Sequence, residues 1–163
     1  MTVIVHPEAR ISALAEIEPS VRGTRIELQA GVVVDSFVKI KPVGGMGDVE
    51  IGENSYINSG CVLYSGNGIR IGRNVLIAAN CTLAATNHAF DRSDLPIRLQ
   101  GFQPSRGGIV IEDDVWIGAN SVLLDGAVVE TGCVVAAGSV VRGRLRAGHL
   151  YGGVPASLLR RRT

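Results

Sequence analysis

Residues 109–139 read IVIEDDVWIGANSVLLDGAVVETGCVVAAGS, and a large aliphatic residue returns at every sixth position of this stretch. The same step occurs earlier in the chain. The first residues of these hexads are Ile51, Ile57, Leu63, Ile71, Ile77, Ile111, Ile117, Leu123, Val129 and Val135. An amphipathic α-helix would instead show a period of about 3.6 residues. The pattern therefore predicts short strands that are repeated in successive coils of the chain.

Residues that favour sharp backbone corners stand three positions after each of these aliphatic residues. They are Asn54, Gly60, Gly66, Asn74, Asn80, Asp114, Asn120, Gly126, Gly132 and Gly138. Glycine, asparagine and aspartate adopt a positive φ more readily than other residues do. We therefore predict that each hexad contains a short strand followed by a corner at this position.

Small side chains occupy the fifth position of the hexads, with Asn67 as the exception. They are Ser55, Cys61, Val75, Cys81, Val115, Ser121, Ala127, Cys133 and Ser139. Together with the aliphatic ladder they predict a narrow core, in which three hexads form one triangular coil and hydrogen bonds join neighbouring coils. The cysteines are interpreted as small core residues, because three cysteines without a short paired spacing indicate neither a disulfide framework nor a zinc site.

The ends of the repeat are less regular than its centre. The six-residue step extends back to Val5 and slips near Gly23. Beyond Val141 we expect it to end, and residues from about 148 to 163 predict a turn followed by a short helical cap. The whole chain, 1–163, is predicted to form one all-β domain.

Residues 84–108 interrupt the repeat with NHAFDRSDLPIRLQGFQPSRG at their centre. The repeat predicts that the chain leaves the coils after Leu83 and returns at Ile109. A structureless insertion of this length in a compact domain is uncommon and is usually functional or disordered. We therefore interpret it as an active-site loop.

Composition narrows the class of protein further. The net charge is +1 and charged residues make up 19% of the chain, so no global basic field indicates nucleic-acid binding. The N-terminus lacks the pattern of a secretory signal, and no apolar run approaches the roughly 18 residues of a membrane span. We expect a cytoplasmic protein.

The aliphatic hexads, the single loop with His88 and the GVPA motif at 153–156 resemble the left-handed β-helix hexapeptide-repeat acyltransferases. The galactoside and maltose acetyltransferase branch, which includes sugar O-acetyltransferases, matches best over residues 56–160. The resemblance implies left-handed winding, homotrimers with active sites between subunits, and acetyl-CoA as cosubstrate in a groove between neighbouring prisms. It implies no metal.

A histidine suits the base that removes a proton from an attacking hydroxyl, because imidazole titrates near neutral pH. His88 matches the position of the family's catalytic histidine, whereas His6 and His149 are expected at the surface. For the acceptor, Tyr56 and Asn58 match a Tyr-x-Asn pair of the galactoside branch. Asp91 and Arg98, with Arg92 and Asp94, give the loop polar groups suited to a sugar or a sugar nucleotide.

For the cosubstrate, the resemblance assigns Trp116 to the pantetheine arm, and Ala119 and Ala137 to its groove. Arg142 and Arg160 match positions near the nucleotide end, where guanidinium groups pair with phosphates. Ser157 departs from the galactoside branch, which has an arginine there, so some phosphate contact could pass to Arg161 or Arg162.

Three other functions stay open at this point. An N-acetyltransferase that acts on an amino sugar nucleotide would use the same scaffold. A γ-carbonic anhydrase-like enzyme would need three histidines around a metal, and the chain has no closely spaced pair. A noncatalytic β-helix would have no need of the insertion.

Overall fold

The computed structural model describes residues 3–163, in which short parallel strands form three sheets. The first sheet contains β1 (Val3–Val5), β4 (Ile26–Leu28), β7 (Val49–Ile51), β10 (Ile69–Ile71), β13 (Ile109–Ile111), β16 (Val128–Val129) and β19 (Arg144–Leu145). The second contains β2 (Arg10–Ile11), β5 (Val33–Val34), β8 (Tyr56–Ile57), β11 (Leu76–Ile77), β14 (Trp116–Ile117), β17 (Val134–Val135), β20 (His149–Gly152) and β21 (Ser157–Arg161). The third contains β3 (Glu16–Ile17), β6 (Lys39–Lys41), β9 (Val62–Tyr64), β12 (Thr82–Ala84), β15 (Val122–Leu124) and β18 (Val140–Val141).

Each coil contributes one strand to each sheet, and equivalent residues of successive coils lie side by side. Ile71, for example, pairs with Ile51 in the coil before it and with Ile111 in the coil after it. The architecture is therefore a three-sided parallel β-helix, as the hexads predict.

The predicted corners are confirmed by the backbone. All ten of the Asn, Asp and Gly residues at the corner position have a positive φ, between 46° at Gly66 and 89° at Gly126. The local preference of these residue types thus turns the chain at each of these positions.

The predicted core is confirmed as well. The aliphatic residue that begins each hexad is buried, and the nine small residues at the fifth position are at most 2% exposed. The serines and cysteines among them bond to carbonyls of the links between strands, for example in the next coil: Ser55 Oγ donates to Gly72 O at 2.7 Å, and Cys61 Sγ donates to Ala78 O at 3.1 Å. All three cysteines are free and buried, which agrees with a structural role.

The interruptions of the repeat collect at one corner. The links from the first sheet to the second, and from the second to the third, contain four residues in every coil as far as β18. The links from the third sheet back to the first vary widely, and they include 18–25, 42–48 and 85–108. We call this edge of the prism the third corner. It carries the long loop.

The predicted helical cap at 148–163 is wrong. β20 continues the second sheet beside β17, and β21 then folds back antiparallel onto β20, after a turn that contains Gly153 and Pro155. The free edge of β20 offers unpaired backbone groups, and a strand satisfies them where a helix could not.

The repeat also continues beyond Val141, where we expected it to end. Leu145 and Tyr151 are buried and extend the first and second sheets. The six-residue step is lost there because a two-residue link, 142–143, joins β18 to β19. In residues 3–163, no helix is long and apolar enough to span a membrane.

Candidate functional site

The long loop is an ordered hairpin. Gln103 N donates to Asn87 O at 2.8 Å, Ala89 N donates to Gly101 O at 3.0 Å, and His88 forms an antiparallel bridge with Phe102 between them. We call this element, residues 87–103, the His88 hairpin. Ala84 still belongs to β12 and Ala85 is fully buried, so the chain leaves the core slightly later than expected. The return at Ile109 is confirmed.

The tip of the hairpin is held by side chains of its own. Gln100 Nε2 donates to the carbonyls of Arg92 and Leu95, both at 2.7 Å, and Gln100 Oε1 accepts from Arg92 N at 3.1 Å. A single 3₁₀ turn, Ile97–Leu99, precedes Gln100. Arg92 pairs with Asp94 on the exposed side. These contacts shape the tip without help from the coils.

Asp125 anchors the returning end of the loop, and sequence reasoning missed it. Its carboxylate is 2% exposed and accepts from Gly108 N and Arg106 N, both at 2.8 Å, and from Asn67 Nδ2 at 3.1 Å. A carboxylate that receives the buried Gly108 amide and two partly buried donors holds the returning end of the loop in place. An acidic residue beside a corner glycine, within an aliphatic ladder, was the available signal.

His88 lies on one face of the hairpin with Phe102. The ring centroids are 4.8 Å apart and the planes are tilted by 34°. Both residues line a cavity of about 310 Å³ at the third corner, which we call the His88 cavity. Its lining residues are Val43, Gly44, Tyr64, Ala84, Thr86, His88 and Phe102.

The opposite face of the hairpin lines a second cavity. Side chains of neighbouring residues in a strand point to opposite faces, so Asn87 and Gln103 face away from His88 and Phe102. This cavity has a volume of about 460 Å³, and we call it the arginine cavity. It is lined by Asn87, Phe90, Asp91, Gln103, Arg106, Leu124 and Arg142. Asp91 accepts from Gln103 Nε2 there, at 3.1 Å.

The predicted acceptor residues are not brought together in the described chain. Tyr56 lies on the second sheet beside Val33 and Leu76, and Asn58 Nδ2 donates to Ile77 O at 2.8 Å. Arg98 is an exposed residue of the 3₁₀ turn. Asp91 lines the arginine cavity, so none of the four lines the His88 cavity.

Most of the predicted cosubstrate residues follow the second sheet. Trp116 is 49% exposed and pairs with Leu76 and Val134, and Arg160 pairs with Leu150. Ala119 and Ala137 lie at the corner between the second and third sheets, where Ala119 O accepts from Gly138 N at 2.8 Å. Arg142 is separate from this group and lines the arginine cavity.

The described residues do not form a metal-binding cluster. Within 3–163, no group of three or more His, Cys, Asp or Glu residues is positioned to hold a metal ion. His6 follows β1, His88 lies in the hairpin and His149 begins β20, with its Nδ1 2.7 Å from Ala147 O.

Two family models match the repeat. One, described as bacterial transferase hexapeptide (six repeats), matches residues 108–143, and the other, hexapeptide repeat of succinyl-transferase, matches 48–85. A putative lipopolysaccharide biosynthesis O-acetyl transferase of Escherichia coli, WbbJ, is 32% identical over 80% of this chain and 66% of its own length. The chain belongs to the hexapeptide-repeat transferase family. The family predicted from the sequence is thereby confirmed.

Other curated proteins are similar to the chain over shorter parts of their own length. Gamma carbonic anhydrase 2 of Arabidopsis thaliana mitochondria is 35% identical over 80% of this chain and 50% of its own length. Galactoside O-acetyltransferase of E. coli is 33% identical over 69% of this chain and 54% of its own length. The chain thus spans about half to two thirds of the length of these curated relatives.

Solved structures share the fold. The N-acyltransferase AntD of Bacillus cereus, in complex with dTDP-4-amino-4,6-dideoxyglucose and coenzyme A, superposes with a TM-score of 0.81 at 26% identity, over 99% of this chain and 84% of AntD. A hexapeptide-repeat acetyltransferase of Vibrio cholerae, complexed with acetyl coenzyme A, gives a TM-score of 0.68 at 27% identity, over 99% of this chain and 72% of its own.

Proposed function

We propose that this chain is an acetyl-CoA-dependent acetyltransferase that acts on a hydroxyl of a sugar or glycoconjugate, with His88 as general base. The observation that carries the proposal is the placement of His88 in a cavity at the interrupted corner of a hexapeptide-repeat β-helix. Acetyltransferases among the relatives, and the acetyl-CoA complex of the V. cholerae protein, support the reaction class.

His88 has the freedom that a general base needs. Among the described residues, its ring nitrogens have no hydrogen-bond partner, and the side chain is exposed. Stacking on Phe102 restricts the plane of the ring. As the acceptor oxygen attacks the thioester carbonyl, its proton passes to a ring nitrogen of His88. When the carbon–sulfur bond breaks, His88 returns that proton to the departing thiolate, so the histidine is regenerated.

The cosubstrate supplies the activated acetyl group, and the residues of the second sheet fit a role in holding it. Trp116 and Leu76 are 49% and 44% exposed, and together they form an apolar strip on that sheet. Arg162 lines a cavity with Trp116 and Leu76, where its guanidinium bonds to Asp114 and Gly132 O. Arg160 and Arg161 are exposed on β21, at the edge of the same sheet, and could pair with phosphates. Arg162 therefore shares a cavity with Trp116, and Arg161 is exposed at the sheet edge; either could supply the phosphate contact of the arginine that the galactoside branch has at the position of Ser157.

A homotrimer with left-handed winding, as in the family, would explain why the predicted acceptor and cosubstrate residues lie away from His88 in the same chain. Tyr56, Asn58 and Trp116 lie on or beside the second sheet, away from the His88 cavity of the same chain. A neighbouring subunit that packs its second sheet near the His88 hairpin would bring them to His88. Sedimentation equilibrium tests this part of the proposal: a mass of three chains supports it, and a monomer at micromolar concentration contradicts it.

N-acylation of an amino sugar nucleotide is the second candidate, because AntD is complexed with such a sugar and coenzyme A.

The relationship to a γ-carbonic anhydrase raises the question of a metal centre. The residues around His88 do not fit one, because His88 is the only metal-ligating side chain among those that line its cavity.

The decisive experiment compares His88→Ala with His6→Ala, an exposed histidine of the first coil. Purified proteins are given acetyl-CoA and a panel of sugars, amino sugars and sugar nucleotides, and thiol release and acetylated product are measured. We expect His88→Ala to lose at least about 100-fold in turnover, the usual range for a general base, with an unchanged circular dichroism spectrum. Equal turnover of His88→Ala and wild type would remove His88 from the mechanism.

A further inference from the structure

The His88 cavity has aromatic walls. Tyr64 approaches from β9 and Phe102 from the hairpin, while Val43 and Ala84 complete the apolar part of the lining. Aromatic rings present flat apolar faces, which suit the apolar C–H face of a sugar ring better than they suit a charged group. The cavity therefore combines two aromatic rings, on which a sugar ring can stack, with His88 as a base beside them.

The space in this cavity depends on one small residue. On the outer face of the third sheet, Lys41, Tyr64, Ala84 and Leu124 lie in register in successive coils. Ala84 leaves room between its larger neighbours. Thr86 fixes the adjoining wall, because its Oγ1 donates to Gly44 O at 3.1 Å.

The cavity lacks fixed charge. Its lining in the described chain contains neither a carboxylate nor a lysine or arginine. Lys41, which pairs in register with Tyr64, forms an ion pair with Glu18, and this contact raises the pKa of Lys41. Asp91, Arg106 and Arg142 line the arginine cavity on the other face of the hairpin.

We infer that the His88 cavity takes one uncharged sugar ring, stacked against Tyr64 and Phe102 with a hydroxyl directed to His88. The inference rests on the proposed function and specifies its substrate. The volume of the His88 cavity, about 310 Å³, lies at the lower end of the range for ligand sites and suits a single ring rather than a whole sugar nucleotide.

The preference for a hydroxyl follows from charge. A primary amine of an amino sugar is largely protonated near neutral pH, and an ammonium that loses part of its hydration against an apolar lining is favoured only beside an anionic partner. The described lining offers it none. A hydroxyl is neutral, and the Tyr64 hydroxyl, which has no partner in residues 3–163, can hydrogen-bond to a neighbouring oxygen of the ring.

Three variants test the assignment. Ala84→Leu fills the cavity, Tyr64→Leu removes one platform, and Tyr64→Phe removes only the hydroxyl. Ala13→Leu, at an exposed corner of the first coil, is the matched control for the added side chain. The probes are methyl β-galactoside and methyl β-glucoside, with the corresponding 2-amino-2-deoxy glycosides as the charged alternatives.

For wild type we expect transfer to the neutral glycosides at least tenfold faster than to the amines. Ala84→Leu should raise the acceptor KM more than tenfold, and Tyr64→Leu by roughly 2- to 10-fold, the fold-change that corresponds to one aromatic contact. The KM for acetyl-CoA should stay within twofold in both, and in Ala13→Leu both constants should match wild type.

Binding of the glycosides is measured separately by saturation-transfer NMR, which needs no turnover. If wild type binds acetyl-CoA but acetylates nothing, the proposed function fails. If wild type turns over while Ala84→Leu and Tyr64→Leu keep the wild-type acceptor KM, this inference is overturned and the proposed function stands. If the amines react faster, the hydroxyl acceptor is overturned together with this inference, and N-acylation, the second candidate, takes its place. An absence of NMR contact between wild type and the neutral glycosides also overturns it.

Discussion

His88 and Phe102 face each other across the two arms of the hairpin, with ring centroids 4.8 Å apart. Their residues also pair through the backbone, so the geometry of the base is set by the hairpin itself. Phe102 is accordingly a positioning residue for His88. The hairpin in turn depends on Asp125 at its return and on tight backbone contacts at Gly108.

Phe102→Leu should lower kcat by about 2- to 10-fold, because an aromatic pair contributes roughly 0.5–1.5 kcal/mol beyond its area. The KM for acetyl-CoA should not change. Phe102→Tyr should restore kcat, since it keeps the ring. Phe90→Leu, on the opposite side of the hairpin and 63% exposed, is the control. A wild-type kcat in Phe102→Leu would mean that the stack does not orient His88.

Asp125→Ala should destabilise the fold by about 3 kcal/mol, since it leaves the buried Gly108 amide and two partly buried donors without an acceptor. Asp125→Asn should cost less, because one amide oxygen can still accept. Urea unfolding gives the free energies, and hydrogen exchange should show faster exchange of the Arg106 and Gly108 amides. Asp94→Ala, an exposed partner of Arg92, should leave the urea midpoint unchanged. If Asp125→Ala unfolds at the wild-type midpoint, the anchor is not structural.

Gly108→Ala and Gly101→Ala separate steric contact from backbone strain. Both residues have a positive φ, 76° and 78°. A Cβ at Gly108 would lie 2.4 Å from Gly68 O, whereas a Cβ at Gly101 has nothing within 4 Å. We expect Gly101→Ala to cost about 1 kcal/mol and Gly108→Ala at least twice as much. Thermal and urea unfolding measure both free energies. Equal losses of stability in the two variants would show that the backbone around Gly108 moves to accommodate a Cβ at no extra cost.

The three thiols should be unreactive in the native protein. All are fully buried. Burial raises the pKa of Cys133, and the hydrogen bond with the Cys81 thiol together with burial raises the pKa of Cys61, whereas the same bond lowers the pKa of Cys81. Ellman's reagent should therefore detect three thiols only after unfolding in guanidinium, because the folded protein keeps the reagent away from all three sulfur atoms. Rapid labelling of a folded sample would contradict the structural role of the cysteines.

Sequence spacing predicted the coils because each contribution is local. A corner residue such as Asn80 needs only its own tolerance of positive φ, and a residue such as Ile77 needs only the six-residue step to face the core. The position of His88 in an inserted segment followed from the same spacing. None of this requires knowledge of which coils are neighbours.

The C-terminal end shows where local reasoning failed. ASLLRRR, residues 156–162, reads as a short helix by composition. The free edge of β20 supplies hydrogen-bonding groups that only a strand can pair, and β21 forms there. Tertiary context thus overrode a local preference.

The sequence by itself determined the three-sided repeat, its corners, its core and the one loop that carries His88. Only the tertiary structure decided what surrounds His88. Tyr64 and Ala84 come from successive coils and meet through the register between strands, while Asp91 of the hairpin and Arg142, which follows β18, line the other cavity. These contacts join residues far apart in the chain, so no local pattern records them.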